Sequence, residues 1–193
     1  MNKPLPDPGY ARTVLEHYKE THKKISPARK KILELLAGYS YFLGRAAVKD
    51  PGILEYLESS KAAADGKTPA AFMEEAGGIA ASSETPAQLE SALRRYKYRE
   101  LARIIYRNIT DGAPFTETME ELSDLASAIL QAAISFYGAE ANGAGEFTVI
   151  GMGKLGGREL NLSSDIDIIY MYSDNGDPDP FFRLAEKVTK SLS

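Results

Sequence analysis

Cysteine is absent from the 193-residue sequence and histidine occurs only twice. Without thiols the chain forms neither disulfides nor thiolate metal sites. His17 and His22 fall in an early helical stretch and read as surface residues rather than catalytic ones. No run of about eighteen apolar residues exists, so no segment reads as a membrane span. The polar, proline-containing start from Met1 to Gly9 is not that of a signal peptide. Positive charge is not in excess either: 23 Lys and Arg against 27 Asp and Glu leave a net charge of −4, which argues against bulk nucleic-acid binding. What is present is 44% hydrophobic and 26% charged residues, the balance of an ordinary globular protein, and a cytoplasmic location fits it. The length holds one large domain, or one domain and part of another.

Residues 10–140 read as helices with regular punctuation. Ser26-Pro27, Asp50-Pro51, Thr68-Pro69 and Thr85-Pro86 each set a capping side chain before a proline, the residue that suits the first helical position. Thr85 with Gln88, and Thr118 with Glu121, have capping-box spacing, which predicts two long helices. Ile32, Leu35, Leu36, Tyr39 and Leu43 recur at helical spacing and make one apolar face. Gly77-Gly78 and Asp111-Gly112 interrupt the pattern, and Gly138 ends the last helix. The helix over 86–109 carries Arg95, Arg99, Arg103 and Arg107 as a basic ridge with the acid Glu100 among them, while Leu93, Tyr96, Leu101, Ile104 and Ile105 supply core contacts. Such a ridge is either a face whose arginines pair with acidic helices or a surface turned to an active site or an acidic partner.

Small residues and glycines from Ala139 to Gly145 mark the expected boundary between a helical segment, 1–140, and a second fold, 141–193. That fold opens with a strand, Phe147 to Ile150, and breaks into four glycines, Gly151, Gly153, Gly156 and Gly157. A strand that turns at glycines into a helix aims backbone N–H groups at whatever sits there, usually a phosphate. The helix is expected to be short, Lys154 to about Leu160, with Lys154 and Arg158 on one face, both within reach of phosphate oxygens unless Arg158 pairs with an acid. A second strand, Asp165 to Tyr172, follows. Asp165 and Asp167 are two residues apart in it, so their carboxylates leave the same face, roughly 6.6 Å apart along the chain. Paired hard oxygen ligands of this kind suit Mg²⁺, which keeps water and phosphate oxygens in its shell. A glycine turn for phosphates followed by paired aspartates for metal is equipment for phosphoryl or nucleotidyl transfer.

Other readings of the same residues are weaker. Gly151, Gly153 and Gly156 satisfy the dinucleotide-binding pattern G-x-G-x-x-G, but too few residues follow for a crossover helix. A P-loop fails because Gly157 and Arg158 stand where Lys and Ser or Thr are required. The acidic loop Ser173 to Pro180 does not follow the order of a calcium-binding EF-hand. The bland alternative is a tight turn with two solvated aspartates. A final amphipathic helix starts at Phe181, with Leu184, Ala185, Val188 and Leu192 facing inward.

The stretch resembles the nucleotidyltransferase signature of the DNA polymerase β superfamily, an apolar residue, Gly and a small residue followed about ten residues later by Asp-x-Asp. Met152-Gly153-Lys154 takes the first position, with Lys154 departing from the usual Gly or Ser, and Asp165-Ile166-Asp167 takes the second. The run from Gly151 to Asn161, followed by Ser163-Ser164-Asp165-Ile166-Asp167, looks like the bifunctional glutamine synthetase adenylyltransferase/adenylyl-removing family, and the Asn161 form is more similar to its first, adenylyl-removing half. The resemblance covers roughly residues 85–190. It implies an α+β chain, a mainly helical segment followed by the incomplete start of a polymerase-β-like nucleotidyltransferase fold with a small mixed sheet. It implies Asp165 and Asp167 as catalytic metal ligands for Mg²⁺, and Gly153, Lys154, Arg158 and Ser164 on the phosphate side, Ser164 supporting the turn into the aspartates. It implies glutamine synthetase, ATP or ADP, phosphate and the PII signalling protein as partners. Family enzymes carry a third carboxylate on a later strand that finds no position within 193 residues, so the expectation is an amino-terminal fragment of a longer protein. The competing expectations are a non-catalytic module that binds a partner through the basic helix, and a small-molecule nucleotidyltransferase of the antibiotic-modifying kind.

Overall fold

The computed structural model describes residues 4–59, 65–111, 113–138, 145–173 and 177–192. In chain order it contains α1 (Pro8–His22), α2 (Pro27–Tyr39), α3 (Tyr41–Lys49), α4 (Gly52–Glu58), α5 (Pro69–Ser82), α6 (Pro86–Asp111), α7 (Phe115–Tyr137), β1 (Phe147–Gly151), α8 (Gly153–Gly156), β2 (Ile168–Tyr172) and α9 (Asp179–Ser191). The class is α+β, as expected. Most of the boundary predicted at Ala139 to Gly145 lies outside the described residues. The chain divides into two compact units, one of Met1–Gly66 with Tyr98–Thr118, the other of Lys67–Lys97 with Met119–Ser193.

In the first unit α1 to α4 pack around Leu33, Leu36, Leu43, Ala47, Ile53 and Leu54, all almost fully buried. The apolar face read across Ile32 to Leu43 is split between two helices. Ser40 adopts an extended backbone and its hydroxyl accepts the Leu43 N–H at 3.3 Å, so it caps α3 immediately after α2 ends. Tyr39 is correspondingly exposed. The two helices close tightly at Gly44, where a Cβ would lie 2.8 Å from that of Ala37.

The basic ridge on α6 is not a uniformly solvated face. Glu100 and Arg103 are fully buried and paired at 2.7 Å, with Tyr56 donating its hydroxyl to Glu100 at 2.9 Å and Arg103 donating to the Asp65 carbonyl at 3.2 Å. Arg107 is buried and pairs with Glu117 at 2.7 Å. Leu101 and Ile105, expected in the core, are only partly covered.

In the second unit α5 runs straight through Gly77-Gly78, where the sequence predicts a break. Phe72, Ala76 and Ala80 are buried at four-residue spacing, and the packing of that stripe outweighs the helix cost of two exposed glycines. The Thr85 box forms, with Gln88 N–H on the Thr85 hydroxyl at 3.3 Å and the Gln88 carbonyl oxygen accepting Thr85 N–H at 3.2 Å. The second expected box does not form. Helix α7 begins at Phe115, so Thr118 lies inside it, and Glu121 instead accepts the backbone N–H of Lys67.

Strands β1 and β2 pair antiparallel from Phe147↔Tyr172 to Gly151↔Ile168. An antiparallel pair does not belong to the parallel dinucleotide-binding unit, which removes that reading of the glycines. One face of the hairpin meets α9, where Phe181 stacks on Phe147 and Tyr172 and the Tyr170 hydroxyl reaches Thr189 at 2.8 Å. The other carries Ile150, Ile169 and Met171, all exposed.

Candidate functional site

The glycine corner follows directly from β1. Gly153 has φ +50, in the left-handed region that favours glycine, and starts the single helical turn α8. Gly156 lies so close to the strand end that a Cβ there would sit 2.5 Å from the Gly151 carbonyl oxygen. The helix is therefore four residues long, not the two turns expected to Leu160, and Lys154 and Arg158 do not share a helical face. Arg158 lies past the helix end with φ +56, its N–H donating to the Leu155 carbonyl at 3.1 Å.

Two features then redirect the chain toward the aspartates. Leu160 is buried, and Asn161 begins a tight turn: its side-chain oxygen accepts the Ser163 N–H at 3.0 Å, its carbonyl accepts the Ser164 N–H at 3.0 Å, and its own N–H donates to the Ser164 hydroxyl at 3.2 Å. Ser164 thus closes the turn that leads into Asp165.

Asp165 to Asp167 precede β2 rather than lying in it, because the ladder ends at Gly151↔Ile168. The segment is still extended and tied to the corner, with the Met152 N–H donating to the Asp167 carbonyl at 2.7 Å. Exposure alternates from Asp165 through Asp167 to Ile169, so both carboxylates fall on the open side of the hairpin. A Cβ added at Gly153 would lie 3.1 Å from Asp167 Oδ2. The glycine corner and the second aspartate are therefore neighbours, and a side chain at Gly153 would require the carboxylate to shift by a few tenths of an ångström.

Among the described residues neither carboxylate, nor the Lys154 ammonium, takes part in a hydrogen bond or ion pair, and no group of three or more metal-ligating side chains occurs. Two open carboxylates beside a backbone corner fit an ion that fills the rest of its shell with water and phosphate oxygens, and do not fit one that needs a closed protein cage.

Arg158 is placed differently from Lys154. Its Nη2 lies 2.9 Å from Oδ1 and 3.1 Å from Oδ2 of Asp124 on α7. Burial raises the pKa of Asp124 above the ordinary 3.8; the Arg158 charge and hydrogen bond pull it down, and Glu120 and Glu121 push it up again. Beside it the Ser123 hydroxyl accepts the Leu160 N–H at 3.3 Å. Sequence reading did not single out Ser123 or Asp124. Leu122 and Leu125 share one helical face and Ser123 and Asp124 fall off it, so the local pattern is that of an ordinary amphipathic helix, and the burial of the two polar residues is decided by the loop packed against them.

The family profile described as glutamate-ammonia ligase adenylyltransferase matches residues 30–193. Among curated relatives, the bifunctional glutamine synthetase adenylyltransferase/adenylyl-removing enzyme of Nitrosococcus oceani is 32% identical over 184 residues, covering 84% of this chain and 19% of its own length. The enzyme of the same description from Pseudomonas putida is 31% identical over 189 residues, covering 86% of the chain and 19% of its own. That of Haemophilus ducreyi is 40% identical over 126 residues, covering 54% of the chain and 13% of its own. The chain thus spans about a fifth of the length of these relatives.

Proposed function

The chain belongs to the glutamate-ammonia ligase adenylyltransferase family, and from that premise we propose that it carries the opening part of a Mg²⁺-dependent nucleotidyltransferase site that removes AMP from glutamine synthetase. The observation that carries the reading is the closeness of the Asp167 carboxylate to Gly153, with Oδ2 3.1 Å from where a Cβ would stand, which puts one aspartate of the pair beside the glycine corner. The Asn161 form of the motif supports the adenylyl-removing half, and the names of the relatives support glutamine synthetase as substrate.

In this mechanism an oxygen of inorganic phosphate attacks the adenylyl phosphorus, the tyrosine oxygen leaves, and ADP and unmodified tyrosine result. Asp165 and Asp167 would hold Mg²⁺, which when bound supplies positive charge for the reacting phosphate oxygens. Gly153 leaves the backbone open to close approach by a phosphate, and Lys154 offers an unengaged cation beside it. The Asn161–Ser164 turn aims the two carboxylates out of the same face. The same reading places the protein in the cytoplasm and makes the PII signalling protein its regulator.

The test is Asp165→Asn and Asp167→Asn in the full-length enzyme, assayed for release of AMP from adenylylated glutamine synthetase as ADP. Each variant should lose activity by about a hundredfold or more, with unchanged circular dichroism. Normal AMP removal in both would defeat the assignment.

A further inference from the structure

The loop joining the glycine corner to the aspartates is fastened to α7 on both sides of Glu159. On one side the Arg158 guanidinium meets both oxygens of Asp124; on the other the Leu160 N–H donates to Ser123 Oγ, whose own proton goes to the Met119 carbonyl at 2.8 Å. Leu155 and Leu160, at the two ends of the loop, are buried. Asp124 is only 6% exposed, so an unpaired charge there would be costly, and Arg158 is the cation that meets it. Arg158 also holds a positive φ, a conformation non-glycine residues seldom take without a compensating contact. The loop returns to the corner as well, since the Glu159 N–H donates to the Lys154 carbonyl at 2.7 Å. With the Arg158 N–H on the Leu155 carbonyl and the Gly157 N–H on that of Gly153 at 3.0 Å, a displacement at Arg158 is passed to the corner through backbone hydrogen bonds.

We propose that Asp124 is a positioning residue for nucleotidyl transfer: by engaging Arg158 it sets the loop that holds Lys154 and Gly153 beside Asp165 and Asp167, and Arg158 is a strut of this loop rather than a ligand of the phosphate. The inference rests on the reaction proposed above and adds a residue from a helix outside the motif. It reassigns Arg158, whose place in the motif suggests phosphate contact. A strut and a ligand differ in what charge exchange does. Moving the cation to α7 and the acid to the loop preserves a strut and destroys a ligand, and aspartate tolerates a positive φ better than most residues.

The experiment uses the 193-residue chain with Asp124→Asn, Arg158→Gln, Arg158→Lys and the exchanged pair Asp124→Arg with Arg158→Asp. Amide hydrogen exchange reads the loop, Mn²⁺ titration reads the aspartates, and titration with ADP and Mg²⁺ reads the assembled site. Asp124→Asn and Arg158→Gln should each speed exchange of the Arg158, Glu159 and Leu160 amides by about tenfold or more, with β1, β2 and the centre of α7 unchanged. Both should weaken ADP by about tenfold and leave Mn²⁺ affinity without nucleotide intact, a split that general destabilisation does not produce. The exchanged pair should recover both loop protection and ADP affinity. Recovery of protection without ADP affinity would make Arg158 a direct ligand and overturn the proposal, as would unchanged loop exchange in Asp124→Asn. Should the exchanged pair not fold, Arg158→Lys decides: ADP affinity lost while the loop stays protected overturns it equally. Failure of the wild-type chain to bind ADP with Mg²⁺ would count against the proposed reaction, while the exchange data still decide whether Asp124 holds the loop.

Discussion

At the scale of single residues, Gly153 meets two demands at one Cα. Its backbone is left-handed, and its missing side chain leaves room for the Asp167 carboxylate. Gly153→Ala should therefore cost about 1–2 kcal/mol in backbone strain alone and push the carboxylate away, weakening Mn²⁺ as well as lowering the melting temperature. A mutant that melts lower but binds Mn²⁺ normally would show that the contact is incidental. The buried pair on α6 makes a different prediction. Arg103→Met strands Glu100 in the interior and should cost about 3 kcal/mol, the low end for breaking a buried pair, because Tyr56 and Arg99 still reach the carboxylate. Adding Glu100→Leu should return most of that loss, measurable in a urea double-mutant cycle. The aspartates and glycines could be read from sequence because their spacing is local. The burial of Arg103 could not, because a four-residue period describes a ridge equally well in solvent or in a core.

At the scale of elements, helix starts were readable and helix continuity was not. The Ser26, Thr68 and Thr85 caps form as their spacing predicts, since each needs only a hydroxyl and an N–H three residues on. Asp50 serves more locally, its carboxylate accepting the Gly52 N–H at 3.0 Å at the entry to α4. Ser40 and Gly77-Gly78 went the other way: a serine inside an apolar run ends one helix and caps the next, while two glycines do not end one at all. Both outcomes are set by what lies on the buried side. A Cβ at Gly77 or Gly78 would meet nothing within 4 Å, so Gly77→Ala and Gly78→Ala should each stabilise the chain by up to about 1 kcal/mol. A fall in melting temperature for either would mean that these glycines have a function. Ser40→Ala should cost about 1 kcal/mol by loss of the α3 cap, read from the urea midpoint.

At the scale of the whole molecule, the two units carry carboxylates that respond to acid in opposite directions. In the first, the Tyr10 N–H and Tyr41 hydroxyl hold Asp7 below its ordinary 3.8, and the Arg29 and Ser26 hydrogen bonds hold Glu58 below 4.5. A depressed carboxylate contributes stability that is complete above its ordinary value and is lost as pH falls through its folded value. The deficit of Asp7→Asn and Glu58→Gln against wild type, clear at neutral pH, should therefore close in thermal melts taken progressively below 3.8 and 4.5. In the second unit burial raises Asp124, so for this group alone acid relieves a cost, and the deficit of Asp124→Asn should not follow the same course. By itself the sequence determined the α+β class, the capped helices, the glycine corner and the acid pair, because each depends on side-chain type at short separation along the chain. Only the tertiary structure decided that α6 buries Arg103 and Arg107, that the sheet is an antiparallel hairpin with one open face, and that α7 grips Arg158. Those outcomes join residues 34 and 37 positions apart in the chain, Asp124 to Arg158 and Ser123 to Leu160, and whether such groups meet is set by the packing of whole elements, which no local pattern records.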